Sequence, residues 1–302
     1  MEFDRRAFLR TSLVAAAGAS FTQSTAAALP ATTSIRLGLI VPGGADPARA
    51  LNKVRGFGLP TAQLSMEDFS TVMVEKTSAA IRESGIAVTA INCSGPGQLV
   101  YDFYQGPETI GLVPPKFRAA RIKQLKAASD FAKRLGVKGV HTHCGFIPEN
   151  PNDPNYRDTI AALKEVIGHV RENGQIFLYE TGQETPITLL RAILDVGLDN
   201  QRVNLDTANL ILYGKGNPVD ALDVLGKYVA GLHAKDGLFP TSPKKLGEEV
   251  AIGQGKADFP ALIRRLKQLD YAGPITIERE IDGPQQGEDI CKAKTYLEGL
   301  IG

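Results

Sequence analysis

Short apolar runs recur along the chain at the length of a fully buried strand, each followed by a stretch with helical periodicity. IRLGLIV at Ile35–Val41 comes first and ends in the turn signal Pro42-Gly43-Gly44. Runs at 61–64, 86–93 and 137–144 follow, then FLYE ending at Glu180, VNLD at Asp206, YVAGLH at His233 and PITIE at Glu278. Helices are predicted between and after them, over 47–54, 69–84, 116–135, 158–173, 186–196, 218–225, 259–269 and 288–300. Asp68 is placed to cap the second helix, and the Arg and Lys residues of the third read as its solvated face. Strand and helix alternate eight times, which predicts an α/β fold: a (β/α)₈ TIM barrel forming a single domain. The alternative, a doubly wound open sheet, lacks its marks, since no G-x-G-x-x-G follows the first strand and no G-x-x-x-x-G-K-[ST] occurs.

Two segments break the rhythm. Ser94–Pro114 is long, rich in Gly and Pro, and carries Tyr101, Asp102, Phe103 and Tyr104, so it is expected to lie as a lid over the barrel mouth. Gly237–Gly255 reads as a second long polar loop.

Four strand candidates end in a metal ligand: Glu180, Asp206, His233 and Glu278. In a parallel barrel the carboxyl ends of the strands converge on one mouth. Alternation along each strand turns Val203, Leu205, Ile275 and Ile277 toward the helices, leaving Asn204, Asp206, Thr276 and Glu278 on the inner face. Three carboxylates gathered there would repel one another, and a divalent cation removes that cost. A donor set of one imidazole and three carboxylates is hard and oxygen-rich, favouring Mn²⁺ or Mg²⁺, with Co²⁺ and Zn²⁺ also compatible.

Around this centre, His143 is inner-facing and fits a substrate contact or support for a ligand, while His141 sits one repeat deeper as a structural residue. Lys235 is placed to donate to an oxyanion or to hold substrate. Glu184 precedes a helix, as its cap or as a substrate contact. Glu280 shares a strand face with Glu278 and becomes the fourth ligand if the register slips, and His169 falls on a helix surface.

Composition narrows the setting. The chain has 302 residues, 43% hydrophobic and 22% charged, with a net charge of +1 and no Trp, which leaves no basic footprint for nucleic acid. Cys93, Cys144 and Cys291 are too few and too scattered for a disulfide framework, and Cys93 and Cys144 read as packing residues. Asp4-Arg5-Arg6-Ala7-Phe8-Leu9-Arg10, a mild apolar stretch and an alanine-rich end near Ala28 have the order of a twin-arginine (Tat) signal peptide. That places residues 1–28 outside the fold, the barrel at 34–302, and the protein in the periplasm or otherwise exported. The apolar stretch is too short for a permanent membrane span. Partners are then the Tat export machinery and a small-molecule carbohydrate; a homo-oligomer is compatible with the sequence.

The stretches THCGFIPENP (142–151), FLYETGQE (177–184), NLDTANLILYGKGNP (204–218), HAKDG (233–237) and ITIERE (275–280) resemble the sugar phosphate isomerase/epimerase superfamily with the xylose isomerase-like TIM barrel. The resemblance runs from about Ile35 to the C-terminus. It implies that Glu180, Asp206, His233 and Glu278 bind one divalent ion and that Glu180 and Glu278 are also the acid–base pair. Ketose epimerases of the superfamily commonly carry a His three residues after the Asp. Here Asn209 stands in that place, which keeps a sugar-hydroxyl contact and loses an imidazole. The expected activity is a metal-dependent isomerase or epimerase working through an enediolate of a keto sugar. A lyase expelling the aglycone from a 3-oxo-glycoside is the alternative with the same site, and a non-catalytic periplasmic sugar-binding protein is the alternative from another class. A His-rich, multi-zinc endonuclease site is excluded by a chain with 4 His.

Overall fold

Ten strands and ten helices account for the regular structure of residues 35–302, which are the residues this computed structural model describes. The twin-arginine segment and its boundary at residue 28 lie outside them. In chain order the elements are β1 (Arg36–Pro42), α1 (Pro47–Gly56), β2 (Thr61–Ser65), α2 (Thr71–Ser84), β3 (Ala87–Asn92), α3 (Gly106–Thr109), α4 (Pro115–Leu135) and β4 (Gly139–His143). Then come α5 (Pro154–Glu172), β5 (Ile176–Glu180), α6 (Pro186–Val196), β6 (Gln201–Asp206), α7 (Thr207–Leu212), α8 (Pro218–Leu225) and β7 (Val229–Ala234). The chain closes with β8 (Asp236–Leu238), β9 (Glu248–Val250), α9 (Phe259–Gln268), β10 (Pro274–Ile277) and α10 (Pro284–Ile301).

Eight strands form a closed parallel barrel in the order β1-β10-β7-β6-β5-β4-β3-β2, sealed where Leu37 of β1 pairs with Ile275 of β10. Val203, Leu205, Ile275 and Ile277 are buried in the apolar layer with the helices, as alternation requires. The inner face is polar. Gln63 on β2 donates to Asn204 on β6 (3.1 Å), and His233 on β7 donates to Gln63 (2.7 Å). β2 and β6 lie opposite each other in the ring, so these bonds cross the barrel interior. Gly231 leaves room for the bridge, since a Cβ there would sit 2.4 Å from Asn204 Oδ1.

Several local expectations change. Ser70, not Asp68, caps α2 by accepting from the Met73 amide, while Asp68 accepts from the Ser70 amide one step earlier. Helices α5 and α10 begin at Pro154 and Pro284, four residues ahead of the predicted starts, because proline fits the first helical turn. Arg121 does not join the solvated face of α4. It is 1% exposed and donates to the carbonyls of Pro96, Gly111 and Gln98, fastening the long 94–114 segment from beneath. The 237–255 segment holds the antiparallel ribbon β8–β9, and α7 follows β6 without a turn. Among the described residues no helix is long and apolar enough to cross a membrane.

Candidate metal centre and active site

The ligand candidates arrive on four consecutive strands of the ring. Glu180 ends β5, Asp206 ends β6, His233 is the penultimate residue of β7, and Glu278 follows β10 directly. The register sets Asp206 beside His233, and Glu180 beside His143 and Asn204. One donor atom from each of Glu180, Asp206, His233 and Glu278 lies within 4.8 Å of the others. His233 Nδ1 is the hub, at 2.9 Å from Glu180 Oε1, 3.1 Å from Glu278 Oε2 and 3.6 Å from Asp206 Oδ2.

The cluster fits a divalent ion on three counts. Glu180 Oε2, Asp206 Oδ2 and His233 Nδ1 are buried without a hydrogen-bond partner among the described residues. The other imidazole nitrogen, Nε2, is spent on the Gln63 carbonyl, which orients the ring and leaves Nδ1 toward the carboxylates. Asp206 divides its oxygens in the same way: Oδ1 accepts from the Asn209 amide and caps α7, while Oδ2 faces the cluster. The charges answer one another. Burial lowers the His233 pKa, but Glu278 and Glu180 outweigh that and raise it well above the ordinary imidazole value. Burial lifts Glu180, yet His143, His233 and His141 together hold it down at about 2. Burial, opposed chiefly by Lys235, carries Asp206 up to about 6.

Lys235 lies beside the cluster and is only 1% exposed. Its ammonium reaches Glu280 (2.5 Å), Asn209 Oδ1 (3.3 Å), Glu278 (3.5 Å) and Asp206 (3.8 Å). Glu280 therefore pairs with this lysine, and Glu278 takes the position in the ligand cluster. His143 Nε2 stands 3.3 Å from Glu180 Oε2 at the cavity wall, and its ring meets Tyr101 of the long segment edge-on. His141 is wholly buried 3.4 Å from the same oxygen, and burial pulls it down to about 4. His143 thus flanks Glu180, while His141 Nδ1 accepts from the Asn92 side-chain amide (3.3 Å). Glu184 is not the α6 cap, a role taken by Thr185, whose side chain accepts from the Thr188 amide. His169 pairs with Asp130 on the surface of the helical layer, away from the site.

A cavity of about 280 Å³ opens over one half of the mouth, above β10, β1, β2, β3, β4 and the edge of β5. Glu180 and Glu278 both line it, with His143, Tyr101, Arg279 and Glu280. Tyr101, nearly half exposed, brings the 94–114 segment over the site. Sequence reasoning missed Gln63, while Asn204 was expected on the inner face and Tyr101 in the lid segment, as the structure has them. An amide inside an apolar run such as TAQLS was the only available signal for Gln63.

The model of the xylose isomerase-like TIM barrel family matches residues 48–298. A solved xylose isomerase domain protein from Planctomyces limnophilus is 34% identical, covers 88% of this chain and 97% of its own, and superposes with a TM-score of 0.84. The uncharacterized protein YihM of Escherichia coli K12 is 28% identical over 52% of this chain and 50% of its own length. The L-ribulose 3-epimerase of a Methylomonas species is 25% identical over 55% of this chain and 59% of its own. The chain thus spans little more than half the length of these curated relatives.

Proposed function

This chain belongs to the xylose isomerase-like TIM barrel family, and on that premise we propose that it is a metal-dependent isomerase or epimerase of a keto sugar or related carbohydrate. One observation carries the reading: the only two cavity-lining members of the ligand cluster are Glu180 and Glu278, which flank His233 and Asp206 from either side of the ring. Glu180, Asp206, His233 and Glu278 would hold the ion, with Mn²⁺ the first choice for this donor set and Mg²⁺, Co²⁺ or Zn²⁺ compatible. When bound, it supplies Lewis-acid polarisation of the adjacent keto and hydroxyl oxygens of a substrate.

The remaining work falls to the protein. One carboxylate takes the proton from the carbon beside the ketone. A proton delivered by the other carboxylate, which must enter the cycle protonated, inverts that carbon. A proton returned to the neighbouring carbon by the first, with the hydroxyl proton passing to the former carbonyl oxygen, isomerises instead. His143 stands beside Glu180, and Lys235 stands where a substrate oxygen gaining charge needs a donor. Asn209 and Glu184 complete the set of substrate contacts we assign. The twin-arginine pattern at Arg5-Arg6 supports an exported compartment, which cell fractionation checks.

The test is solvent-deuterium exchange into free ketoses and 3-oxo-glucosides by the Mn²⁺-loaded protein. Exchange is expected in the wild type and should fall by at least about a thousandfold in Glu180→Gln and in Glu278→Gln, with the fold retained. Normal turnover by either variant would overturn its role. Release of an aglycone would place the chain among lyases, and binding without exchange would make it a sugar-binding protein.

A further inference from the structure

The cavity leaves the rest of the mouth, above β6 and β7, to buried polar side chains. Gln183, three residues past Glu180, is 1% exposed, and neither its amide oxygen nor its nitrogen has a partner among the described residues. Tyr213, just after α7, is buried with its hydroxyl likewise unpartnered. Gln183 is the nearest polar side chain acting on that hydroxyl, so the two groups stand together at this end of the mouth. Gly182 (φ 158°) lets the two segments close up, since a Cβ there would sit 2.8 Å from the Asn209 Cβ. Buried amide and phenol groups without a well-formed hydrogen bond cost stability at this depth.

The ring of Tyr213 carries the site outward. It meets Phe146 edge-on at 5.6 Å and Phe103 at 6.4 Å. Phe103 in turn forms one wall of an outer groove whose other lining is Pro240, Thr241, Ser242 and Pro243. Pro240 also comes within 3.5 Å of a Cβ built on Gly214, the residue after Tyr213. Hydroxyl-reading groups on the inside and an aromatic–proline wall outside are the two surfaces a pyranose ring presents itself to.

We propose that Gln183 and Tyr213, with the Phe103–Pro243 groove, form a subsite for a second sugar ring, so that the substrate is a keto glycoside and not a free monosaccharide. This rests on the reading of the metal cluster as a keto-carbohydrate site. The keto ring occupies the cavity beside Glu180 and Glu278, and the glycosidic bond points across Lys235 toward Tyr213. The second ring's hydroxyls supply the partners that Gln183 and Tyr213 lack.

Calorimetric binding of 3-oxo-glucose and of 3-oxo-cellobiose oxidised on its non-reducing ring, to the Mn²⁺-loaded full chain, tests this directly. The disaccharide is expected to bind about tenfold more tightly than the monosaccharide. Gln183→Met and Tyr213→Phe, each checked for an unchanged melting profile, should remove that margin and leave monosaccharide affinity within about twofold. Equal affinity for the two sugars in the wild type, or equal loss of both in the variants, overturns the subsite. If the margin is present but deuterium exchange is absent, the catalytic reading fails while the subsite stands; if exchange is present without the margin, the reverse holds.

Discussion

Burial, opposed by a backbone hydrogen bond and by Lys215, pushes the Glu184 carboxyl up to about 8, so the group is mostly neutral in the folded barrel at pH 7. Its ordinary value is 4.5, and between 4.5 and 8 the native state therefore binds more protons than the unfolded chain. The stability this residue contributes is whole below about pH 4.5 and is lost as pH rises toward 8. Glu184→Gln keeps the shape and removes the titration. Denaturant melts at pH 5 and pH 8 should show the variant gaining on the wild type by on the order of 4 kcal/mol across that window. A difference independent of pH would mean that Glu184 is ionised in the fold. Residues of this kind divide by how well the sequence announces them. Glu180, Asp206 and His233 were legible because a charged or ligating group ending an apolar run has few structural uses. Gln63, Gln183 and Tyr213 were not, because an amide or phenol is equally at home as a buried hydrogen-bonding group. Lys235 was half legible: its place beside His233 was plain, its enclosure by three carboxylates was not.

The barrel strands and amphipathic helices could be read from the chain because each keeps one period over its whole length. The missed elements have none. All six residues of α7 are buried, so no polar face marks it, and it begins at Asp206 with no intervening turn. The ribbon β8–β9 is three residues a side and rich in Glu and Gly, which reads as loop. Its order comes from one side chain. Asp236 is buried and accepts from the backbone amides of Gly237 (2.9 Å), Gly253 (2.9 Å), Gly255 (3.0 Å) and Ala257 (3.0 Å). A carboxylate holding four amides across a segment of this length sets its course, and the preceding residue is Lys235. Asp236→Ala leaves those amides unpaired and should cost about 2–4 kcal/mol in a denaturant melt. Hydrogen exchange should rise across 248–257 before it rises in β6 or β7. Uniform exchange through the whole barrel would show that the segment is held by other contacts.

The fold class, the strand order and the convergence of four ligands follow from regular alternation and barrel closure, which any chain of this pattern must obey. Which half of the mouth is open depends instead on how the 94–114 segment drapes over it, and that is set by Arg121 and the carbonyls it gathers, none of which has a sequence period. The candidate metal centre joins these levels, because the four residues that would hold an ion sit on the consecutive strands β10, β7, β6 and β5. An ion that binds the folded barrel and not the unfolded chain raises stability by RT ln(1 + [L]/Kd). At a metal concentration a hundred times Kd that is about 2.7 kcal/mol, or roughly 5 °C in melting temperature for a chain of this size. Melts in Mn²⁺ and in a chelator should therefore differ by this amount. Asp206→Asn is the informative control. An asparagine Oδ1 can still accept from the Asn209 amide and cap α7, while one charge leaves a cluster of three carboxylates. The variant without metal should melt at or above the temperature of the metal-free wild type, and the Mn²⁺ increment should shrink or vanish. An increment that survives the substitution unchanged would put the ion elsewhere on the protein and detach Glu180, Asp206, His233 and Glu278 from it.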